Sequence, residues 1–135
     1  MVPPFLTLGV GCRKGTTSGT LERSFGALLA ASDLHPAAIE QVCTIDLKAN
    51  EPGLLAFCRA HNLPLYTYTA QQLLAVPGTF TSSDFVKSIT GVDNVCERSA
   101  VLGCGPNGSL LQGKTVFDGV TMALAVRPYP VTFEG

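Results

Sequence analysis

The sequence predicts an α/β fold of three layers, in which helices cover both faces of a mixed, mostly parallel sheet that ends in a C-terminal β-hairpin. Short apolar runs alternate three times with segments of helical periodicity, the pattern of parallel strands joined by right-handed crossovers. The last part of the chain instead has two β-rich runs around Asp118-Gly119, a residue pair that favours a type I′ hairpin turn. We expect residues 1–135 to form a single domain, because this length is enough to bury a core.

The composition argues against several classes of protein. Nine basic and ten acidic residues give a net charge of −1, so no basic field is available to hold nucleic acid. No apolar run approaches the roughly 20 residues of a membrane span. The five cysteines show no C-x-x-C pair and no zinc spacing with the two histidines, which predicts buried thiols in a reducing cytoplasm. Neither a metal site nor a cofactor is expected.

The first elements follow from apolar patterning. Residues 5–10 are a near-continuous apolar run, which is expected for a strand covered on both faces. Residues 18–31 carry apolar side chains on one stripe and predict a helix. After a break, Pro36 is expected to open a short helix around residues 37–41.

The middle of the chain continues the alternation. The predicted elements are a strand over 42–45, a helix opened by Pro52, a strand over 63–68, a helix over 70–76, a helix from Ser82 or Ser83 to Gly91, and a helix over 95–102 closed by Gly103. Asn94 followed by Glu97 predicts a capping box, in which the Glu97 carboxylate accepts from the Asn94 N–H. That structural role for Glu97 competes with a catalytic one. The hairpin strands are predicted over 114–117 and 120–126.

The glycine-rich turn after the first strand is the leading candidate for a binding site. It combines glycines, helix-start N–H groups, hydroxyls and two adjacent cations, a set that suits an anion. The residues expected to bind are Gly11, Arg13, Lys14, Gly15, Thr16 and Thr17. The turn matches neither the dinucleotide fingerprint nor the P-loop. The alternative is that Arg13 and Lys14 are solvated loop charges.

A second polar turn, residues 46–53, follows the second strand. Ligands of open parallel sheets bind outside the carboxyl ends of the strands, so we expect both turns on one edge. Lys48 is a candidate to bind a substrate carboxylate, Asp46 and Glu51 are candidate acid–base groups, and Cys12 is a candidate nucleophile. The alternatives are an internal salt bridge in the second turn and a packing or hydrogen-bonding thiol at Cys12, since no base is close to it in sequence.

Five stretches of the chain together form a recognisable pattern. They are Gly9-Val10-Gly11-Cys12-Arg13-Lys14-Gly15-Thr16, then Asp46-Leu47-Lys48 with Glu51 and Gly53, then Val95-x-Glu97, then Leu110-Leu111 with Lys114, then Val120-Thr121-Met122-Ala123-Leu124-Ala125. In this order, over nearly the whole chain, they resemble the CobE / CbiG C-terminal domain family of cobalamin (vitamin B12) biosynthesis. The chain is more similar to the stand-alone CobE members than to the longer CbiG members, which it resembles only in their C-terminal part.

The resemblance implies a protein that binds a precorrin, a corrin-ring intermediate. The many carboxylates of such a ring suit Arg13, Lys14 and Lys48. Three hypotheses follow. The chain is a module that binds and hands on a precorrin, or a hydrolase-type enzyme that opens a precorrin lactone as the CbiG proteins do, with Asp46 or Glu51 as acid–base and Cys12 as nucleophile. The third hypothesis is an adaptor that docks on another cobalamin-pathway enzyme, a methyltransferase.

Overall fold

The computed structural model describes residues 5–77, 80, 92, 94–105 and 108–127. The strands are β1 (Phe5–Gly11), β2 (Ile39–Ile45), β3 (Leu65–Tyr68), β4 (Ser109–Phe117) and β5 (Val120–Arg127). The described α-helices are α1 (Ser18–Ser32), α2 (Pro52–Ala60), α3 (Ala70–Leu74) and α4 (Val95–Cys104), and two 3-10 turns cover Pro36–Ala38 and Asp46–Lys48. The strands form one sheet in the order β3-β2-β1-β5-β4.

The sheet is mixed, as predicted. β1, β2 and β3 pair in parallel, whereas β5 is antiparallel to both of its neighbours, β1 and β4. All strands except β5 therefore point the same way. Asp118 and Gly119 form the hairpin turn with φ angles of 53° and 79°, and two successive positive φ angles are characteristic of type I′. The C-terminal hairpin is confirmed.

Alternating side chains along β1 separate the two outer layers. Leu6, Leu8 and Val10 point into the main apolar core with α1 and α2. Thr7 and Gly9 face α4, where Thr7 Oγ1 accepts a hydrogen bond from the Cys104 thiol. Helices thus cover both faces of the sheet, which confirms the three-layer prediction and explains why β1 is apolar along its whole length.

Helix α4 packs close to the sheet because small residues face each other there. A Cβ added at Gly9 would overlap the carbonyl oxygen of Cys96, and one at Gly103 would clash with the Cys43 sulfur. Ala123, which pairs with Gly9 across the strands, is fully buried on the same face. The backbone of α4 therefore lies almost directly on the central strand.

A buried carboxylate fixes α4 to β4. Glu97 is 3% exposed, and it accepts hydrogen bonds from the Asn94 side-chain amide at 2.7 Å and from the backbone N–H of Lys114 at 2.6 Å. Asn94 Oδ1 accepts from the Glu97 N–H at 2.9 Å, which confirms Asn94 as the N-cap. The Glu97 carboxylate, however, reaches the side chain of Asn94 instead of the predicted backbone N–H. These bonds favour the structural role of Glu97.

Some element boundaries differ from the predictions. The helix predicted over 37–41 is only the 3-10 turn Pro36–Ala38, because Ile39 already pairs with β1 and is buried in the core. β4 begins at Ser109 instead of Lys114, since its first residues pair with the end of β5. β3 and α3 lie within the ranges predicted for them.

Helix α4 also ends later than predicted. Gly103 lies inside the helix, where it is needed for packing, and the helix ends at Cys104 before Gly105, which has a φ of 87°. The predicted helix from Ser82 or Ser83 to Gly91 lies outside the described residues.

Substitution of Gly9 by alanine tests the close packing of α4. Gly9→Ala should destabilise the protein by about 1–3 kcal/mol, the usual range for an overpacked core, because the new methyl group overlaps the Cys96 carbonyl. Gly26→Ala is the matched control, since Gly26 is exposed in α1 and a Cβ there meets no other described atom within 4 Å. It should stabilise the protein by about 0.5–1 kcal/mol. Urea unfolding measures both, and equal stabilities of the two variants would contradict the packing described above.

Candidate functional site

The two predicted turns meet at one edge of the sheet, outside the carboxyl ends of β1 and β2. We call this edge the rim; it consists of residues 11–17, residues 46–53, residue 95 at the start of α4 and residues 116–119 of the hairpin. From β1 the chain moves to β2 and β3 on one side, and it later returns to the other side with β4 and β5. The rim therefore lies where the strand order reverses, which is the usual place for a ligand in an open α/β sheet.

Two contacts join the first turn to the second. The N–H of Gly15 donates a 2.8 Å hydrogen bond to Glu51 Oε1, across 36 residues of sequence. Gly15 has a φ of 84°, a conformation that favours glycine. A Cβ at Gly53 would overlap the carbonyl oxygen of Thr16, so the second turn can approach the first only with glycine at this position. The two turns form one surface.

The hydroxyls of the first turn hold its own backbone. Thr16 Oγ1 donates to the carbonyl oxygen of Arg13 at 2.7 Å, and the Thr16 N–H donates to the same oxygen at 3.2 Å. Thr17 is the N-cap of α1, and its Oγ1 accepts from the Thr20 N–H at 3.2 Å. These bonds shape the turn, and direct contact of either hydroxyl with a substrate stays a prediction.

Three cations lie on the rim. Arg13 and Lys14 are exposed, and Lys48 is half-buried in the second turn. The ion pairs found among the described residues join other side chains, namely Arg23 to Asp118 and His61 to Glu22. The salt bridge considered within the second turn is therefore not formed among the described residues. Cations that have no carboxylate partner among the described residues are suited to bind an external anion.

Cys12 lies between the main core and the two turns. Its side chain is half-buried and packs against the apolar cluster under α1 and α2. Burial raises the pKa of the Cys12 thiol, and nearby Glu51 adds to this effect, while Lys48 and a hydrogen bond to Thr16 oppose it. The raised pKa means that the thiol is protonated near neutral pH. This upward shift of the pKa disfavours Cys12 as the predicted nucleophile and fits the alternative that it is a packing residue.

The two candidate acid–base carboxylates lie in different surroundings. Glu51 is half-buried, and its carboxylate accepts the hydrogen bond from Gly15. Asp46 is exposed at the start of the 3-10 turn, where its backbone carbonyl accepts from the Ala49 N–H at 3.1 Å. The structure thus gives Glu51 a clear positioning role, and the catalytic roles of both carboxylates stay predictions.

The hairpin turn completes the rim on the side opposite the second turn. Arg13 Nε lies 3.9 Å from the position that a Cβ of Gly119 would occupy. Asp118 forms an exposed ion pair with Arg23 of α1 at 3.6 Å. The Asp-Gly pair was recognisable in the sequence as a turn. Its place beside Arg13 depends on the pairing of β5 with β1, which no local pattern indicates.

The N-terminus of α4 is a further part of the rim that sequence reasoning missed. A Cβ built on Gly11 would lie 3.9 Å from that of Val95, the first residue of α4. Thr121 Oγ1 donates to the carbonyl oxygen of Gly11 at 3.3 Å and so joins β5 to the same place. Helices α1 and α2 also begin at this edge, directly after the two turns. The positive ends of three helix dipoles therefore lie along the rim and favour negative charge there.

In the described part of the chain, no three His, Cys, Asp or Glu side chains are grouped in a way that could hold a metal ion. Within the same residues, every helix is too short or too polar to cross a membrane.

Comparison with known proteins relates the chain to cobalamin biosynthesis. The family model described as "Cobalamin synthesis G C-terminus" matches residues 6–125. Protein CobE of Sinorhizobium sp is 31% identical over 121 residues, which cover 89% of this chain and 79% of that protein. Cobalt-precorrin-5A hydrolase of Salmonella typhimurium is 34% identical over 127 residues, and the match covers 93% of this chain but only 35% of the hydrolase. The cobalt-precorrin-5A hydrolase of Priestia megaterium is 31% identical, with 33% of it covered, so this chain spans about a third of either hydrolase.

Solved structures agree with this relationship. The crystal structure of CobE, a protein from the cobalamin (vitamin B12) biosynthetic pathway, superposes with a TM-score of 0.84 at 27% identity, covering 93% of this chain and 92% of that one. The cobalamin biosynthesis protein chiG from Agrobacterium tumefaciens str. C58 superposes with a TM-score of 0.69 at 26% identity, covering 89% and 96%. The resemblance found in the sequence is confirmed, and the chain belongs to the family described as "Cobalamin synthesis G C-terminus".

Proposed function

We propose that the protein acts in cobalamin biosynthesis by binding a precorrin at the rim. Arg13, Lys14 and Lys48 hold carboxylates at the edge of the ring. The observation that carries this proposal is the set of three cations on one surface, outside the ion pairs of the described residues, at the point where the strand order reverses.

The chemistry of the ligand matches this surface. A precorrin is a large apolar ring that carries acetate and propionate side chains. Arginine can bind a carboxylate through two parallel hydrogen bonds, whereas a lysine acts as a compact charge. The helix N-termini along the rim add partial positive charge. A single exposed cation contributes only modestly to the binding free energy of a carboxylate. A rigid ring that carries several carboxylates can contact several cations at once, so its total affinity is higher.

Opening of a precorrin lactone is the second candidate function. It is favoured by the two relatives that are cobalt-precorrin-5A hydrolases. Against it stand the raised pKa of the Cys12 thiol and the engagement of Glu51 with the Gly15 N–H. Because the chain spans only about a third of those hydrolases, we place binding first. Docking on a pathway methyltransferase is a third hypothesis, for which the described surface offers no specific observation.

We also propose that the protein works in the cytoplasm. All five cysteines are free thiols, and four of them are buried. Free thiols persist in reducing compartments, which supports this location.

Removal of two cations tests the binding proposal. The Arg13→Ala/Lys14→Ala variant should bind dicyanocobyrinic acid, a corrin with free carboxylates, at least about tenfold more weakly, as the loss of about 1.4 kcal/mol predicts. Titration calorimetry at low ionic strength measures the affinity. The control is Arg59→Ala, since Arg59 is an exposed cation in the last turn of α2, at the far end of that helix from the rim. Unchanged affinity in the double variant, or no binding by the wild type, would contradict the proposed site.

Two substitutions of Glu51 separate binding from hydrolysis. Glu51→Gln keeps an oxygen acceptor for the Gly15 N–H and removes a negative charge from the rim, so it should bind dicyanocobyrinic acid at least as tightly as the wild type. Glu51→Ala removes the acceptor and should weaken binding by about threefold to tenfold, as the loss of one hydrogen bond predicts. If Glu51→Gln binds the corrin normally but fails to support cobalamin synthesis in a deletion strain, this result favours the hydrolase hypothesis over binding alone.

The reactivity of Cys12 tests its proposed packing role. Because its pKa lies above the usual value, less thiolate is present at any given pH, and alkylation by iodoacetamide at pH 7–8 should be slower than that of a free cysteine peptide. The rate should rise as the pH passes the ordinary thiol range. Peptide mass spectrometry identifies the modified residue, and Cys12→Ser is the control. Fast alkylation at pH 7 would restore Cys12 as a candidate nucleophile.

A further inference from the structure

Two apolar side chains on the rim are unusually exposed. Leu47 stands between Asp46 and Lys48 in the second turn and is 62% exposed, and Val116 near the end of β4 is 65% exposed. A single exposed leucine needs no explanation by itself. Leu47, however, directly precedes a cation of the proposed site.

The strand order places these side chains on opposite sides of the turn that carries Arg13 and Lys14. β4 is antiparallel to β5, which is antiparallel to β1, so the end of β4 lies at the same edge as the ends of β1 and β2. Along this edge the sequence of strands is β2, β1, β5 and β4. The ends of β2 and β4, next to Leu47 and Val116, are therefore three strand spacings apart, about 14 Å, with the turn of residues 11–17 between them.

We propose that Leu47 and Val116 are apolar contacts for the face of a ligand ring whose carboxylates are held by Arg13, Lys14 and Lys48. This inference rests on the proposed function, and it deepens that function by assigning the contacts that select a ring. The ligand is an apolar macrocycle edged with carboxylates. Charge complementarity with the three cations supports this class, because a purely apolar partner would leave them without partners.

The arrangement separates two tasks in recognition. The cations attract any polycarboxylate, and their contribution falls as salt screens the charges. The apolar contacts stabilise only a ligand that has an extended apolar face, and salt does not screen their contribution to the binding free energy. A ligand with both features is held at its edge and on its face at once.

The test compares four variants in titrations with hydrogenobyrinic acid, a metal-free corrin that has free carboxylates and no axial ligand on either face, each at low and at high salt. Leu47→Gln keeps the size of the side chain and should weaken binding by about tenfold, as the loss of one buried leucine contact predicts. Val116→Thr keeps the shape and the strand propensity and should weaken binding by about threefold. Arg13→Ala/Lys14→Ala reports on the cations, and Leu111→Gln is the matched control, since Leu111 is a 49% exposed leucine of β4 far from the rim.

The ratio of wild-type to variant affinity distinguishes the outcomes. For Leu47→Gln the ratio should stay the same at both salt concentrations, whereas for Arg13→Ala/Lys14→Ala it should shrink as salt rises. If Leu47→Gln binds like the wild type while the cation variant is weakened, this inference is overturned and the proposed function stands. A Leu47→Gln ratio that shrinks with salt would also overturn it, because Leu47 would then act through the cations. Absence of wild-type binding would overturn the proposed function and this inference together.

Discussion

The close approach of helix α4 to the central strand at Gly9 is the constraint on which the rest of the structure depends. Any side chain at Gly9 would push the helix backbone away from the sheet. Because the α4 backbone lies so close to the sheet, the first residues of α4 reach the end of β1, and Glu97 can accept a hydrogen bond from the backbone of β4. The absence of a side chain at Gly9 therefore sets the distance between α4 and the sheet, and with it the position of the α4 N-terminus on the rim.

The rim owes its shape to contacts that do not involve the side chains of Arg13, Lys14 and Lys48. The bond between Gly15 and Glu51 and the contact between Gly53 and Thr16 hold the two turns together through backbone groups. The Glu51 carboxylate is bound to the Gly15 amide, so it does not form an ion pair with a cation of the rim among the described residues. Like charges on one surface repel one another, and an incoming carboxylate relieves that repulsion. The surface thus has its shape before any ligand binds.

Most of the fold could be predicted because its signals are local. Periodicity distinguished strands from helices, and Asp118-Gly119 marked the hairpin. The misplaced start of β2 and the end of α4 have a tertiary origin, since Ile39 pairs with β1 and Gly103 serves packing instead of helix termination. In the site, the proximity of the two turns was predictable, because both follow the carboxyl ends of parallel strands. The hairpin turn and the N-terminus of α4 could not be placed there, because their neighbours are set by pairings between distant parts of the chain.

The bond from Gly15 to Glu51 also has a consequence for how the site comes into being. It closes a loop that runs from residue 15 to residue 51 and contains α1 and β2, so the rim does not exist until that crossover has folded onto β1. The glycine-rich turn cannot be transplanted as a short linear peptide and keep its form. A ligand that touches both turns holds the ends of this loop together, and it must therefore raise the free energy of unfolding of the segment that connects them.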